Sequence, residues 1–411
     1  MNRFICRGIV GDLALSSFAS SFAESKSDYF NPLQSAVPSL SIAPDARGGG
    51  MGDIGAATSA DLYSQYWNPS KYVNMESKAG VALSYTPWLR KIVHDINMLY
   101  LAGYYKLDER QAISASLRYF SYGEINLTDT PSPTGDIISQ GTAKPYEMAI
   151  DAAYSRSLSE YWSAAVAMRF ILSDLMNGVM DNDGYASAKS VAADISATYR
   201  RPFSMDDRRS AVFSLGTNIS NIGGKISYDE GATEQYLPAN WRIGVSYEYP
   251  IDAFNKISVS ADINKLLVPT TPSSSDYYEY DENGTLTAES EEAYRKAYEQ
   301  YLDYGVMKSV FKSFGDAPGG FSEEMKEIMW SLGAEYSYNE MFMVRGGYFH
   351  ESQMKGNRKY FSLGAGFKMR VFEIQAAYII AAKTSKTCPI DRTLRFSLGF
   401  NFDGMKKLVE N

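Results

Sequence analysis

The sequence predicts an all-β protein: a transmembrane antiparallel β-barrel of about fourteen strands, with an N-terminal hatch and a long, partly helical extracellular loop. Three observations lead to this prediction. Apolar and polar residues alternate with a period of two in segments of about ten residues, the length of a tilted strand that crosses a bilayer. Short and long connections alternate between these segments. Aromatic residues make up 14% of the chain, yet the mean hydropathy is -0.28 and no apolar run approaches the roughly 18 residues of a membrane-spanning helix.

The last alternating segment shows the pattern most clearly. Between residues 394 and 402 every even position is Leu or Phe, and the odd positions are Arg395, Ser397, Gly399 and Asn401. In a transmembrane barrel such a pattern directs apolar side chains to lipid and small or polar ones to the lumen. We therefore expect a lysine to be tolerated less well at Phe396 than at Ser397. The same division recurs in the segments 241–249, 330–338 and 360–369.

Fourteen candidate strands result when this template is applied to the whole chain, an even number as in single-chain bacterial barrels. Tight turns such as Asp108-Glu109 and Asn339-Glu340 alternate with long loops such as 124–145 and 266–328. Short turns are expected on the periplasmic side and long loops outside the cell. The strands are expected near 79–87, 97–107, 110–123, 146–157, 160–174, 188–201, 210–219, 240–249, 255–265, 329–338, 341–350, 358–369, 371–382 and 392–402.

The N-terminus has the features of a secretory signal peptide. Arg3 and Arg7 precede the mildly apolar stretch Gly8 to Phe22 and a stop of small residues that ends at Ala23. Removal of this peptide would leave Cys388 as the one remaining thiol, so no disulfide framework is expected. The predicted organisation is a signal peptide over 1–23, a hatch over 24–78, the barrel over 79–402 with the extracellular loop 266–328, and a periplasmic tail over 403–411.

Residues 24–78 are rich in glycine and small residues and alternate too little to form a strand. Because the N-terminus and the C-terminus of the chain are both expected on the periplasmic side, this segment can enter the lumen from the periplasm. A phosphate-binding loop is not expected at Gly48-Gly49-Gly50, since no lysine follows at the required spacing; close backbone packing inside a barrel explains the glycines better. The candidate hatch motif consists of Asp45, Arg47, Gly48, Gly49, Gly50, Gly52, Asp53, Trp67, Asn68 and Pro69.

The 266–328 loop contains a predicted helix from Glu289 to Tyr304, with Tyr294, Tyr298 and Tyr301 on one face. Prolines and glycines flank this helix and separate it from the barrel. Two interpretations stay open. The tyrosines form a surface that binds a partner protein, as aromatic residues often do at interfaces, or they pack on the rim of the barrel.

The segment SLSIAPDARGGGMGDIGAATSADLYSQYWNPS, followed by a fourteen-strand pattern, resembles the PorV family, outer-membrane components of the type IX secretion system of Bacteroidota. That family is similar in fold to the FadL long-chain fatty-acid transporters. The resemblance implies a location in the outer membrane. It also implies that the protein binds cargo through the cargo's C-terminal domain and passes it from the translocon to a cell-surface sortase. Periodicity and composition by themselves indicate the barrel alone.

Several other functions lack support in the sequence. The net charge of -8 and the lack of a basic stripe argue against a nucleic-acid partner. His94 and His350 are the only histidines, and neither lies in a recognisable nucleophile motif, so no enzymatic activity is expected. The segments 181–184 and 281–284 resemble fragments of calcium loops, but turn chemistry explains them equally well, and no cofactor is expected.

Charged residues at lumen positions bear on the main alternative, a FadL-type transporter of long-chain fatty acids or other hydrophobic small molecules. Such a transporter needs an apolar pocket between hatch and wall. Mixed charges instead favour a lumen closed by ion pairs, although they could also line a polar path. The outer face of the barrel is expected to contact outer-membrane lipid. The residues expected at the lumen are Arg118, Arg169, Asp194, Arg242, Glu248, Asp262, Glu335, Lys368 and Arg395.

Overall fold

The structure is a computed structural model that describes residues 30–402, except 91, 129–138, 179–184, 207–208, 232, 383–387 and 389. The predicted signal peptide, the predicted periplasmic tail and the segment 181–184 lie outside the described residues. Within the described part of the chain, every helix is too short or too polar to cross a membrane.

Fourteen antiparallel strands form a closed barrel, which confirms the predicted fold class. We number them β1 to β14 in chain order. Each strand pairs with its neighbours in sequence, and β1 pairs with β14, so the wall has no free edge. The strands are Ala79–Pro87, Asn97–Asp108, Gln111–Ser121, Tyr146–Ser157, Trp162–Asp174, Ala188–Ser204, Ser210–Gly223, Asn240–Pro250, Asn255–Leu266, Met329–Tyr338, Phe342–His350, Lys359–Lys368, Phe372–Ala381 and Leu394–Asn401.

The predicted strands differ from the observed ones by a few residues, most clearly in β6 and β7, which continue to Ser204 and Gly223. Residues 201–204 are exposed on both faces. The backbone pairing therefore continues where the alternation that revealed the strand has ended. The long loops also contain two short hairpins that the pattern did not predict, Ile125–Thr128 with Ser139–Ala143 and Ile226–Ser227 with Glu234–Gln235.

Side-chain exposure follows the predicted alternation. In β14, Phe396 is 46% exposed and Phe400 is 41% exposed, whereas Arg395 and Ser397 are buried. The lumen is crowded, because the hatch lies inside it. The Ala46 amide donates to Ser397 Oγ at 2.9 Å. A lysine at Ser397 would collide with the hatch, a contact that the alternation alone does not reveal. The greater cost of lysine at Phe396 than at Ser397 stays a prediction.

The hatch crosses the lumen from one wall to the other. Its elements are a 3-10 turn at Pro38–Ser41, helix α1 at Ala46–Gly50, helix α2 at Ser64–Trp67 and a second 3-10 turn at Pro69–Asn74. Helix α1 lies against β11 to β14, and the second 3-10 turn lies against β3 to β6 on the far side of the barrel. The hatch is thus held by both walls.

The loop between β9 and β10 folds into four helices: α3 at Ser274–Tyr277, α4 at Ala288–Asp303, α5 at Val306–Lys312 and α6 at Phe321–Lys326. Helix α4 agrees with the helix predicted from Glu289 to Tyr304, and the other three are too short for a sequence period to reveal. The Thr270 amide donates to Asp316 Oδ2 at 3.0 Å, which brings the beginning of the loop close to its last third.

Candidate functional site

Asp45 joins the two conspicuous parts of the hatch motif. As the N-cap of α1, its carboxylate accepts the Gly48 amide at 2.7 Å. Its other oxygen accepts the indole N–H of Trp67 at 2.7 Å. The Asp45 carboxylate is fully buried, and these two bonds explain why the glycine run and the tryptophan lie together although 19 residues separate Gly48 from Trp67.

The glycines of the motif let the hatch backbone approach the wall. A β-carbon on Gly50 would lie 3.0 Å from the Cα of Gly364 in β12, and one on Gly49 would overlap the guanidinium of Arg395. Gly52 has a φ of +83°, a backbone conformation that residues with a side chain rarely adopt. Any larger residue at these positions would push α1 away from β12 and β14.

Arg47 ties the hatch to β10. Its guanidinium donates to the Glu335 carboxylate at 3.2 and 3.1 Å and to Asp61 of the hatch at 2.9 Å. Glu335 also accepts the Nε of Arg345 in β11, and Arg345 donates to Gln375 at 2.9 Å. Two arginines therefore share one buried carboxylate, and the network links the hatch with three strands of the wall.

Asp53 forms a second link to the same side of the barrel. Its carboxylate accepts the guanidinium of Arg395 in β14 and the hydroxyl of Tyr360 in β12, the latter at 2.6 Å. The Asp53 carbonyl accepts Arg242 of β8 at 2.9 Å. The Arg242 guanidinium lies 4.8 Å from the centre of the Trp67 ring, a cation-π distance.

Asn68 and Pro69 attach the hatch to the opposite wall. The amide of Asn68 donates to the carbonyls of Ala56 and Ala197 and to the Thr198 hydroxyl at 2.9 to 3.1 Å. The Pro69 carbonyl accepts the Ser155 hydroxyl at 2.8 Å. Every residue of the candidate hatch motif named here contacts the wall or fixes a neighbour that does so.

The wall charges pair as a closed lumen requires. Arg169 bridges Asp151 at 3.1 Å and Asp194 at 2.8 Å, and Arg242 lies 3.6 Å from Asp262. Unpaired charges inside a membrane protein are costly, so these pairs favour a sealed structure over an open path. Two further residues predicted to face the lumen have other partners: Glu248 lies 3.7 Å from Lys256 near the short turns, and the Arg118 guanidinium stacks on Tyr66 at 4.8 Å.

A cavity of about 60 Å³ remains between the hatch and the wall. Its lining includes Arg118, Arg169 and Arg242 together with Asp53 and Asp151. A small cavity lined in this way suits ordered water molecules rather than an acyl chain.

The predicted partner-binding tyrosines lie mainly within the long loop. Tyr301 is buried against Tyr236 and Val268, and burial raises the pKa of Tyr301 to about 12. Tyr298 and Tyr294 are half-buried and continue the row of rings along α4. The interpretation in which the rings pack on the rim therefore describes Tyr301 best, and what α4 presents to water is mainly charged.

The remaining sequence candidates have ordinary surroundings. His350 stacks on Trp330 at 5.0 Å, and its Nδ1 lies 3.4 Å from the Tyr348 hydroxyl. Asp281 accepts the amides of Asn283 and Thr285 at 2.9 and 2.8 Å, which is turn geometry. Among the described residues no cluster of three or more His, Cys, Asp or Glu side chains could hold a metal ion.

Four charged residues that make such contacts were not predicted from the sequence: Asp61 and Lys71 in the hatch, and Asp151 and Arg345 in the wall. The wall pair could have been found, because Asp151 and Arg345 occupy lumen positions of predicted strands. The hatch pair gave no periodic signal. Lys71 is buried and donates to the Gly55 carbonyl at 2.7 Å, a contact that depends on the folded path of the hatch.

Comparison with known proteins gives one family. The model of the family described as "Type IX secretion system protein PorV" matches residues 25–273, more than half of the chain. None of the curated proteins matches the chain.

Solved structures similar to the chain include two toluene transporters and a FadL homologue. The toluene transporter TodX of Pseudomonas putida is 10% identical with a TM-score of 0.49, over 88% of this chain and 98% of that one. The toluene transporter TbuX of Ralstonia pickettii is 12% identical with a TM-score of 0.43, over 87% and 96%. A FadL homologue of Pseudomonas aeruginosa is 10% identical with a TM-score of 0.39, over 91% and 100%.

Proposed function

Because the chain belongs to the PorV family and is an outer-membrane component of the type IX secretion system, we propose that it is a non-enzymatic carrier of secreted proteins. It binds cargo through the cargo's C-terminal domain on the extracellular side. It then passes this cargo from the translocon to the cell-surface sortase.

The closed lumen is the observation that carries this proposal. The hatch is held on one wall through Arg47 and Asp53 and on the other through Asn68 and Pro69. Among the described residues, the cavity between hatch and wall measures about 60 Å³. A folded or extended polypeptide cannot pass through such a lumen. Cargo must therefore be handled at a surface of the barrel, and the long loops offer the largest surface outside the membrane.

Within these loops we assign the contact to α4. Its tyrosines hold the helix on Tyr236 and Val268, while Glu289, Glu292 and Glu299 are exposed on the opposite face. Lys296 pairs with Glu292 on this face and leaves it with a net negative charge. A rigid helix with an acidic outer face suits a basic patch on a protein partner, and charge complementarity of this kind directs association and specificity. The tyrosines then act as supports of the contact surface.

The alternative function, a FadL-type transporter, receives less support. A carrier of fatty acids or similar molecules needs a mainly apolar pocket of several hundred Å³. The cavity beside the hatch is smaller, and arginine, aspartate and asparagine side chains line much of it.

Excision of residues 273–314 tests the role of the loop. The Thr270 amide already donates to Asp316, so the remaining ends lie close together and the barrel should assemble and show normal heat-modifiable gel migration. Type IX substrates should then accumulate in the periplasm. Normal secretion by a correctly assembled deletion variant would exclude the loop as the contact surface and make 124–145 and 220–239 the next candidates.

A charge reversal locates the contact more sharply. In Glu289→Lys/Glu292→Lys/Glu299→Lys the exposed face of α4 changes sign while the tyrosine support stays intact, and secretion should fall. The control, Glu109→Lys/Glu160→Lys, reverses two exposed charges at the periplasmic turns and should leave secretion unchanged. If both variants secrete equally well, the acidic face of α4 does not bind cargo.

A further inference from the structure

Helix α5 and the residues that follow it expose apolar side chains and bury polar ones, the reverse of a surface helix in a soluble protein. Met307, Phe311 and Phe314 follow one another at helical spacing and are 58%, 71% and 48% exposed. The side of the helix that faces the protein carries Ser309 and Ser313, which are buried. Their hydroxyls donate to carbonyls of their own helix at 2.6 and 2.8 Å, so burial leaves neither unsatisfied.

Helix α6 has the same inversion. Phe321 is 81% exposed and Met325 is 51% exposed. The remaining sides of the helix carry Glu323 and Glu324, which are buried. Glu323 lies 2.6 Å from the Lys355 ammonium and Glu324 3.0 Å from the Lys265 ammonium, which Glu327 also binds. Charges point inward and apolar side chains point outward, an arrangement that exposes apolar surface to water unless something covers it.

Helix α4 of the same loop shows that this inversion is local. Its apolar side, with Tyr298 and Tyr301, packs against the protein, and its outer side carries the exposed ion pair Glu292 to Lys296 at 2.9 Å. One loop therefore contains a helix built to face water and two helices built to face an apolar environment.

The position of the inverted helices indicates what that environment is. The Phe314 ring lies 6.1 Å from the ring of Trp241, edge to face. Trp241 belongs to the outward face of β8 with Val245 and Tyr247, and pairs across the strands with Lys265, which the loop covers. The exposed apolar surface of the loop is thus continuous with the lipid-facing surface of the barrel at its extracellular end, where aromatic residues mark the membrane interface.

From this continuity we propose that residues 305–327, here called the outer lobe, lie on the outer leaflet of the outer membrane as an interfacial lipid-binding element. The proposal is independent of cargo binding. The exposed apolar side chains enter the boundary between headgroups and acyl chains. Lys308 and Lys312 lie along one side of the apolar stripe, where their ammonium groups are 4.4 and 5.8 Å from the centre of the Tyr304 ring. Both side chains are exposed and long enough to turn towards lipid phosphates, as lysines of interfacial helices do. The side chains in contact with lipid are Met307, Phe311, Phe314, Phe321 and Met325.

Site-directed labelling tests the proposal in the full chain. Both native cysteines are replaced (Cys6→Ser, Cys388→Ala), and a single cysteine is introduced as Met307→Cys or Phe321→Cys. One sample of each variant carries a fluorophore on this cysteine, and a second sample is left unlabelled so that the reactivity of the thiol can be measured. The control is Asn283→Cys, in an exposed turn of the same loop. The protein is reconstituted in phosphatidylcholine vesicles with brominated acyl chains, with and without phosphatidylglycerol.

Bromine should quench the fluorophores at both lobe sites and leave the control site unquenched. A charged maleimide should react about tenfold more slowly at the lobe sites than at the control, equivalent to about 1.4 kcal/mol of protection. Anionic lipid should strengthen both effects if the lysines bind phosphate. Equal reactivity and no quenching at the lobe sites would overturn the proposal. So would protection that appears only after a protein partner is added, because the lobe would then be a protein-docking surface.

A second variant tests whether the apolar stripe holds the lobe on lipid. Phe311→Glu leaves the buried serines and the Lys265 ion pairs untouched and should return the reactivity at Met307→Cys towards that of the control site. Phe311→Leu should retain protection. Quenching that persists unchanged in correctly folded Phe311→Glu would refute the role of the stripe.

Discussion

Replacing Glu335 by glutamine should loosen the hatch by about 3 kcal/mol without a change in side-chain shape. The Glu335 carboxylate accepts Arg47 of the hatch at 3.2 and 3.1 Å and also accepts Arg345. The amide cannot neutralise either guanidinium. Both cations are largely buried, so the loss of their shared counter-charge leaves positive charge in a region of low dielectric constant.

The magnitude follows from what remains. Removal of one partner of a buried ion pair costs roughly 3–5 kcal/mol. Arg47 keeps Asp61 at 2.9 Å and Arg345 keeps Gln375 at 2.9 Å, which favours the lower end of that range. About 3 kcal/mol corresponds to a more than hundredfold increase in the fraction of molecules in which the hatch has opened locally.

Trypsin cleavage of the reconstituted barrel from the periplasmic side measures that population, since cleavage of a native protein follows local opening. Cleavage at Arg47 or Lys71 should accelerate about a hundredfold in Glu335→Gln. The control, Glu292→Gln, breaks an exposed ion pair with Lys296 and should change the rate by a factor of about five at most. Equal cleavage rates in the two variants would refute the idea that the Arg47 to Glu335 contact holds the hatch in place.

Two further predictions concern the lipid face and the loop. Phe396→Lys should destabilise the folded barrel by roughly 2–4 kcal/mol if Phe396 lies near the midplane, whereas Phe254→Lys, in a turn outside the membrane, should cost about 1 kcal/mol or less; equal shifts of the urea midpoint in vesicles would contradict the face assignment. Burial, aided by neighbouring carboxylates, raises the pKa of Asp316 to about 6, only partly offset by the Thr270 amide. The folded loop then binds the proton more tightly than the unfolded loop, so loop stability should fall as pH rises from about 4 to 6. Proteolysis of the loop should accelerate over this window, and Asp316→Asn, which keeps an acceptor for Thr270, should remove that change.

Much of the barrel could be predicted because a membrane imposes a simple rule on each strand. Phe396 must face lipid and Ser397 the lumen whatever surrounds them, so alternation reveals strands, faces and turns without knowledge of contacts. The rule ends at the membrane boundary, which explains why the ends of β6 and β7 and the hairpins in the loops were missed. Short helices such as α5 span too few turns to produce a recognisable period.

The hatch was less predictable. Its motif stands out by composition, and Asp45 could be recognised as a helix cap by its residue type. The partners of Arg47 and Asp53 lie nearly 300 residues or more away in the chain, at Glu335 and Arg395, and no local pattern specifies them.

The amino-acid sequence by itself determined the strand number, the orientation of the wall residues and the presence of a glycine-rich hatch, because these depend on local alternation and on the length of a membrane crossing. Only the tertiary structure decided that the lumen is closed, that Tyr301 supports the loop from within, and that Phe311 and Phe321 point outward. Each of these depends on which distant surfaces meet. An exposed phenylalanine and a buried one have the same letter in the sequence, and the packing around them decides whether the ring faces protein, water or lipid.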